Sequence, residues 1–132
     1  MEIKAAVLVV GAGLLLGGQP VVAHHSFSAE FDAAKPVKLT GAVTKLEWTN
    51  PHAWIYVDVK DDKGVVENWA FELASPNGLM RNGWTRFSLK AGDVVTVEGT
   101  RAKNGSPKAN AQAVIMASTG QKLFAGSSQG QQ

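Results

Sequence analysis

The stretch Ala53-Trp54-Ile55-Tyr56-Val57-Asp58-Val59 alternates without a break, and that period of two narrows what the chain can fold into. Ala53, Ile55, Val57 and Val59 share one face; His52, Trp54, Tyr56 and Asp58 share the other. A helix would scatter the four aliphatic groups around its circumference, so this segment is read as a strand with one buried face. Asp61-Asp62-Lys63-Gly64 turns the chain. Val65 to Leu73 alternates again, with Trp69, Phe71 and Leu73 in phase. A hairpin of this kind needs further strands to bury its apolar side.

Those strands are legible on either side. Val37, Leu39, Gly41 and Val43 share one phase, whereas Leu46 and Trp48 share the other. The switch near Lys45, after a mid-strand glycine, predicts a long first strand with a bend or bulge. Residues 24–36 form a polar lead-in ending at Lys35-Pro36, and Phe27 and Phe31, four apart, can pin it through one helical turn. After the hairpin, Ser75-Pro76 reads as an N-cap with proline at the first helical position, opening a short helix that stops at Gly83. A fourth strand is predicted over Val94–Ala102 and a fifth over Ala109–Ala117, with Lys122-Leu123-Phe124 as a short edge segment. Residues 126–132 are a Gly/Ser/Gln tail, expected to be disordered.

The order is three strands, a short helix and two strands. It fits an all-β chain built as a five-stranded OB-like Greek-key barrel over residues 37–125. An SH3-like barrel and a small β-sandwich are the alternatives. The 132 residues allow one domain.

The first 23 residues read differently from the rest. Met1-Glu2-Ile3-Lys4 is a short leading segment, Ala5 to Gly18 an uncharged apolar run, and Val21-Val22-Ala23 a small-residue cleavage site. Residues 1–23 are therefore expected to be a signal peptide, and the mature chain to be periplasmic. A membrane anchor is the competing reading, but glycines and Pro20 interrupt the run and no basic cluster follows it. Absence of cysteine excludes disulfides, thiolate metal sites and thiol catalysis. The formal charge of +2 gives no tract for nucleic acid, and no membrane span is expected once the leader is removed.

His24-His25-Ser26-Phe27, Glu47-Trp48-Thr49-Asn50-Pro51-His52-Ala53-Trp54 and Asn68-Trp69-Ala70-Phe71-Glu72 resemble the motifs of a domain-of-unknown-function family of small exported bacterial proteins. The resemblance covers nearly the whole mature chain. It implies an exported small β-barrel and assigns no activity. More loosely, the layout is similar to the periplasmic bacterial OB-fold family.

Three histidines carry the chemistry that is left. Cleavage after Ala23 gives His24 a free α-amine beside its imidazole, a chelating pair that a third imidazole, from His52, can complete. His25 offers a second mode, through its imidazole, the intervening amide nitrogen and the α-amine. Nitrogen-rich surroundings of this kind favour Cu(II). The arm of about 12 residues before Val37 can span roughly 30 Å, so His52 is within reach. The competing reading is a solvated chain end that binds metal adventitiously. On the outward face of the second strand, Trp54, Tyr56 and Asp58, flanked by Asn68 and Glu72, can instead form a ligand surface for a peptide, a glycan or an envelope protein. That face can equally be buried by the N-terminal arm. Trp48 and Trp69 read as core, Trp84 as a plug beneath the helix, and Arg81 and Arg86 as a solvated rim. No catalytic motif is present, so no enzymatic activity is expected.

Overall fold

The structure, a computed structural model, describes residues 27–126. A helical turn over residues 27–30 leads into β1 (Phe31–Glu47), followed by β2 (Trp54–Lys60) and β3 (Val66–Glu72). Helix α1 (Pro76–Arg81) separates these from β4 (Val94–Ala102), β5 (Lys108–Met116) and β6 (Lys122–Phe124). The sheet order is β3-β2-β1-β4-β5-β6, and a parallel β3–β5 pairing brings it round on itself. This is an all-β barrel with one short helix between the third and fourth strands, the connectivity of an OB-type Greek key. A sixth strand extends the predicted five: Lys122–Phe124 pairs with Ala113–Ile115 of β5.

The first strand begins at Phe31 rather than Val37, so part of the expected arm belongs to the barrel. Phe31 pairs with Ala102, the register then shifts, and regular pairing with β4 resumes at Pro36. Proline is tolerated at such an irregularity because it has no N–H to contribute. Further on β1 serves two partners. Gly41 and Ala42 lie opposite Val95 and Val94 of β4, and also opposite Val59 and Asp58 of β2. The strand bends sharply there. A Cβ on Gly41 would sit inside van der Waals contact with the Asp58 carbonyl, so the close approach requires glycine.

Beyond Gly41 the register slips by one residue between Val43 and Lys45. That bulge at Thr44 is the physical cause of the phase switch seen in the sequence. It keeps Val43 buried on one side and lets Leu46 pack on the same core. Lost ladder bonds are replaced locally: Val43 N donates to the Asp93 carbonyl at 2.8 Å, and Gly92 N to the Val43 carbonyl at 2.8 Å.

Ile55 and Val57 from β2, Phe71 from β3, Val95 and Val97 from β4, and Val114 from β5 are all fully buried in one core. Each contributes about 1.5–3 kcal/mol by leaving water. Ser75 caps α1, its Oγ accepting from Gly78 N at 3.2 Å, and Pro76 occupies the first turn. The helix sends Leu79 into the core, and Trp84 follows it. The Trp84 indole N–H donates to the Phe124 carbonyl at 2.9 Å, which satisfies the one polar atom of an otherwise buried ring. Trp69 is core as expected, with the Arg101 guanidinium 5.3 Å from its ring centre. Trp48 is only partly buried.

Gly41→Ala is expected to destabilise the fold by about 1–3 kcal/mol through overpacking at the bend. Urea unfolding should show a lower midpoint at unchanged slope, and an unchanged midpoint would mean that the β1–β2 approach can relax.

Candidate functional site

The predicted site residues fall on the outer side of β2 and β3. The ladder sets them opposite one another: Trp54 faces Glu72, Tyr56 faces Ala70, and Asp58 faces Asn68. Ala53, Ile55, Val57 and Val59 are buried beneath, so the alternation directs the other row outward. The row is half-buried rather than open.

Three of those side chains are engaged within the sheet. The Tyr56 hydroxyl donates to Glu47 Oε2 at 3.1 Å, and Lys45 Nζ donates to Glu47 Oε1 at 2.6 Å. Asn68 Nδ2 donates to Asp58 Oδ1 at 2.9 Å and to Thr44 Oγ1 at 3.2 Å. The bulged residue thus joins this network directly, since Thr44 Oγ1 also donates to the Tyr56 carbonyl at 3.2 Å. Tyr56, Asp58 and Asn68 serve the sheet. Trp54 has no such polar partner among the described residues.

His52 and Glu72 form a different group. Backbone pairing continues past the end of β2, with Leu73 N donating to the Ala53 carbonyl and Ala53 N to the Ala74 carbonyl. His52 is thereby held alongside Leu73, and its Nδ1 lies 2.8 Å from the Leu73 carbonyl. A carbonyl only accepts, so Nδ1 is the donor, and Nε2 makes no hydrogen bond among the described residues. From the other side, Thr49 Oγ1 donates to the His52 carbonyl at 3.1 Å. Glu72 Oε1 is 3.7 Å from Nδ1. Burial pushes the Glu72 carboxyl above its ordinary range; His52 and Lys108 pull it down, and Glu30 pushes it further up.

Lys108, Glu30 and Asn110 join this group although the sequence did not single them out. The parallel β3–β5 ladder sets Lys108 beside Ala70 and Asn110 beside Glu72, while Phe71 and Ala109 between them face the core. Lys108 is ion-paired with Glu30, which arrives from the helical turn at residues 27–30. Lys103 N donates to the Glu30 carbonyl at 2.8 Å, fixing that turn against the end of β4. Phe31 is buried against Ala102, and the Phe27 ring lies 5.4 Å from it, as the four-residue spacing predicts. Asn110 is 2% exposed, and its Oδ1 has no hydrogen-bond partner among the described residues. Only the closure of the sheet brings these residues to Glu72, so no local sequence signal marks them.

His24 and His25, the leader at 1–23 and the tail at 127–132 lie outside the described residues. Among the described residues, no three histidine or carboxylate side chains are grouped to hold a metal. None of the described helices is long and apolar enough to cross a membrane. A separate recess is lined by Gly92, Asp93, Val94, Met116, Ala117 and Ser118 and contains none of the predicted site residues. Its carboxylate, Asp93, is engaged by Lys90.

The fold and the outer-face cluster define a small OB-type barrel with an N-terminal turn tied to the end of its fourth strand and to its fifth. The chain belongs to the family of unknown function DUF6152, with the match spanning residues 12–111. That span includes the His24-His25 pair, the Asn50-Pro51-His52 segment and the Asn68 to Glu72 strand. No curated protein and no solved structure matches the chain.

The only tyrosine gives a direct check on the outer network. Burial and donation to Glu47 both raise the Tyr56 pKa from the usual 10.0. Its proton is held more tightly in the folded state, so this contribution to stability is present below the ordinary value and lost as pH rises through the raised one. Ultraviolet titration of tyrosinate should give a midpoint above 10, and Glu47→Gln should move it back down. An unshifted midpoint in the wild type would show that the pair does not persist in solution.

Proposed function

We propose that the protein is an exported, non-enzymatic binding protein that takes Cu(II) at the junction of its N-terminal arm and the outer face of the barrel. His52, His24 and His25 supply the nitrogens. The observation that carries this reading is the hydrogen bond from His52 Nδ1 to the Leu73 carbonyl. That bond commits the Nδ1–H, which leaves Nε2 free and the ring fixed in orientation. Metal-binding histidines are commonly held this way, with the second ring nitrogen hydrogen-bonded to a carbonyl or carboxylate.

Two further observations support it. Glu30 pairs with Lys108, next to Glu72, so the arm reaches the cluster that holds His52. From Phe27 back to His24 the chain can extend by about 10 Å, which gives an N-terminal chelate reach beyond the fixed turn. Processing after Ala23 would create the α-amine that the chelate needs. A set of imidazole and amine nitrogens suits Cu(II) better than the hard cations, and the chain has no thiolate to draw it toward Cu(I) or zinc clusters. The bound ion would be cargo or a structural tie between arm and barrel.

The interaction reading, a peptide, glycan or envelope protein on the Trp54/Tyr56 face, rests on Trp54. The Tyr56 hydroxyl is already engaged by Glu47, and Asp58 and Asn68 bond each other within the sheet. It is the weaker of the two readings.

Cu(II) titration of the chain beginning at His24 should give sub-micromolar affinity. Adding one residue before His24, or making His52→Ala, should each weaken it by at least about tenfold, the loss of one ligand's worth of binding. Equal affinity in wild type and His52→Ala would reduce the site to a generic N-terminal chelate and end the composite reading. Affinity should also fall as the solution is acidified, because protons compete with the metal for the ligand nitrogens. Spectroscopic Cu(II) titration at a neutral and an acidic pH checks this.

A further inference from the structure

The segment linking β3 to β4 has an unusual charge pattern. From Leu73 to Gly92 it carries no acidic residue, but it includes Arg81, Arg86 and Lys90. Lys90 is paired with Asp93, Nζ to Oδ1 at 2.8 Å. Neither arginine forms an ion pair among the described residues.

The same segment holds up an apolar tip. Trp84 and Leu89, 1% and 3% exposed, are sunk in the core at either end of the span Thr85–Ser88. That span is braced internally: Thr85 N donates to Ser88 Oγ at 2.8 Å, Phe87 N to Thr85 Oγ1 at 3.1 Å, and Ser88 N to the Thr85 carbonyl at 3.1 Å. At its crest Phe87 is 83% exposed, the highest value among the exposed large apolar side chains described. Met80 on α1, next to Arg81, is 52% exposed. The loop is pinned at both ends and bonded within itself, so the backbone that carries Phe87 is held in place.

We propose that this tip docks on an anionic phospholipid surface, with Phe87 and Met80 entering the interfacial layer and Arg81 and Arg86 contacting headgroup phosphates. Guanidinium groups bind phosphate in a bidentate way, and the segment's one carboxylate, Asp93, is paired with Lys90. A protein partner is a poorer occupant. A stable protein interface needs about 800 Å² from each side, whereas here the exposed apolar groups are Phe87 on the turn and Met80 on α1. The attachment is weak and reversible, because one small anchor with a few charges gives only marginal membrane affinity. It also sets an orientation. The β2–β3 turn, with Asp61 and Asp62, lies at the opposite end of the β2–β3 ladder from the Ala53–Ala74 pairing that leads into α1. The acidic turn therefore points away from the docked end.

Absence of cysteine makes the test position-specific. A polarity-sensitive dye is attached in the full chain, and in the chain beginning at His24, at Asn82→Cys beside the tip or at Lys63→Cys in the distant turn. Vesicles of phosphatidylcholine with phosphatidylglycerol should shift the emission of the probe at position 82 to the blue. Phosphatidylcholine alone should not, and the probe at position 63 should not respond. Phe87→Ala should abolish the shift, and Arg81→Gln and Arg86→Gln should each lower vesicle partitioning by about fivefold. Circular dichroism of each variant should match the wild type, since all three side chains are exposed. Three results would each overturn the proposal: no shift at position 82, equal shifts at both positions, or full binding by Phe87→Ala. A blue shift on raising protein concentration without vesicles would assign the tip to self-association instead, and would overturn it equally.

Discussion

The double pairing of β1 is the constraint on which the rest of this barrel depends. One strand supplies a partner to β4 along Pro36–Ala42 and to β2 along Gly41–Glu47, and it does so by bending where the two ladders overlap. The bend needs a residue without a side chain, because the Asp58 carbonyl occupies the place a Cβ would take. It also needs an extra residue, Thr44, so that Val43 and Leu46 both reach the core despite their odd spacing. Without that bulge, every residue after Val43 would present the wrong face, and Leu46 would be turned to solvent.

The outer face follows from the same geometry. The bulged Thr44 hydroxyl joins Asn68 and the Tyr56 carbonyl, so the irregularity in β1 also organises the polar row on β2 and β3. At the other end of that row, the parallel closure of β3 against β5 delivers Lys108 and Asn110 to Glu72. The arm then returns across the end of β4, tied by the burial of Phe31 and by the Glu30 pair with Lys108. A histidine with a committed Nδ1, a carboxylate raised by burial and an N-terminal turn thus meet in one region. That convergence makes the junction of arm and barrel the place where a ligand is best sought.

Much of the architecture was legible from local pattern. The alternation in Ala53–Val59, the phase switch near Lys45, the Ser75-Pro76 helix start and the Val94–Ala102 strand all match the structure, because each reflects a local rule of burial or capping. The start of β1 was not legible. Asp32 to Lys35 lack any apolar alternation, and the pairing of Phe31 with Ala102 is a long-range contact that nothing near Phe31 announces. The candidate site was legible by halves. His52 and Glu72 stand on a strand pair with a clear pattern, whereas Glu30, Lys108 and Asn110 come from segments distant in sequence.

The sequence by itself determined the strands, the short helix, the bulge and which side chains each strand turns inward, since those depend on periodicity and on a few residues of special backbone geometry. Only the tertiary structure decided which outward residues become neighbours. It committed Tyr56 to Glu47 and Asn68 to Asp58, and it set His52 Nδ1 against the Leu73 carbonyl with the half-buried Glu72 carboxylate nearby. It also raised Phe87 on a braced turn, next to Arg86. The reason is that alternation fixes the direction of a side chain, but its partners are set by closure and register, which only the folded chain possesses.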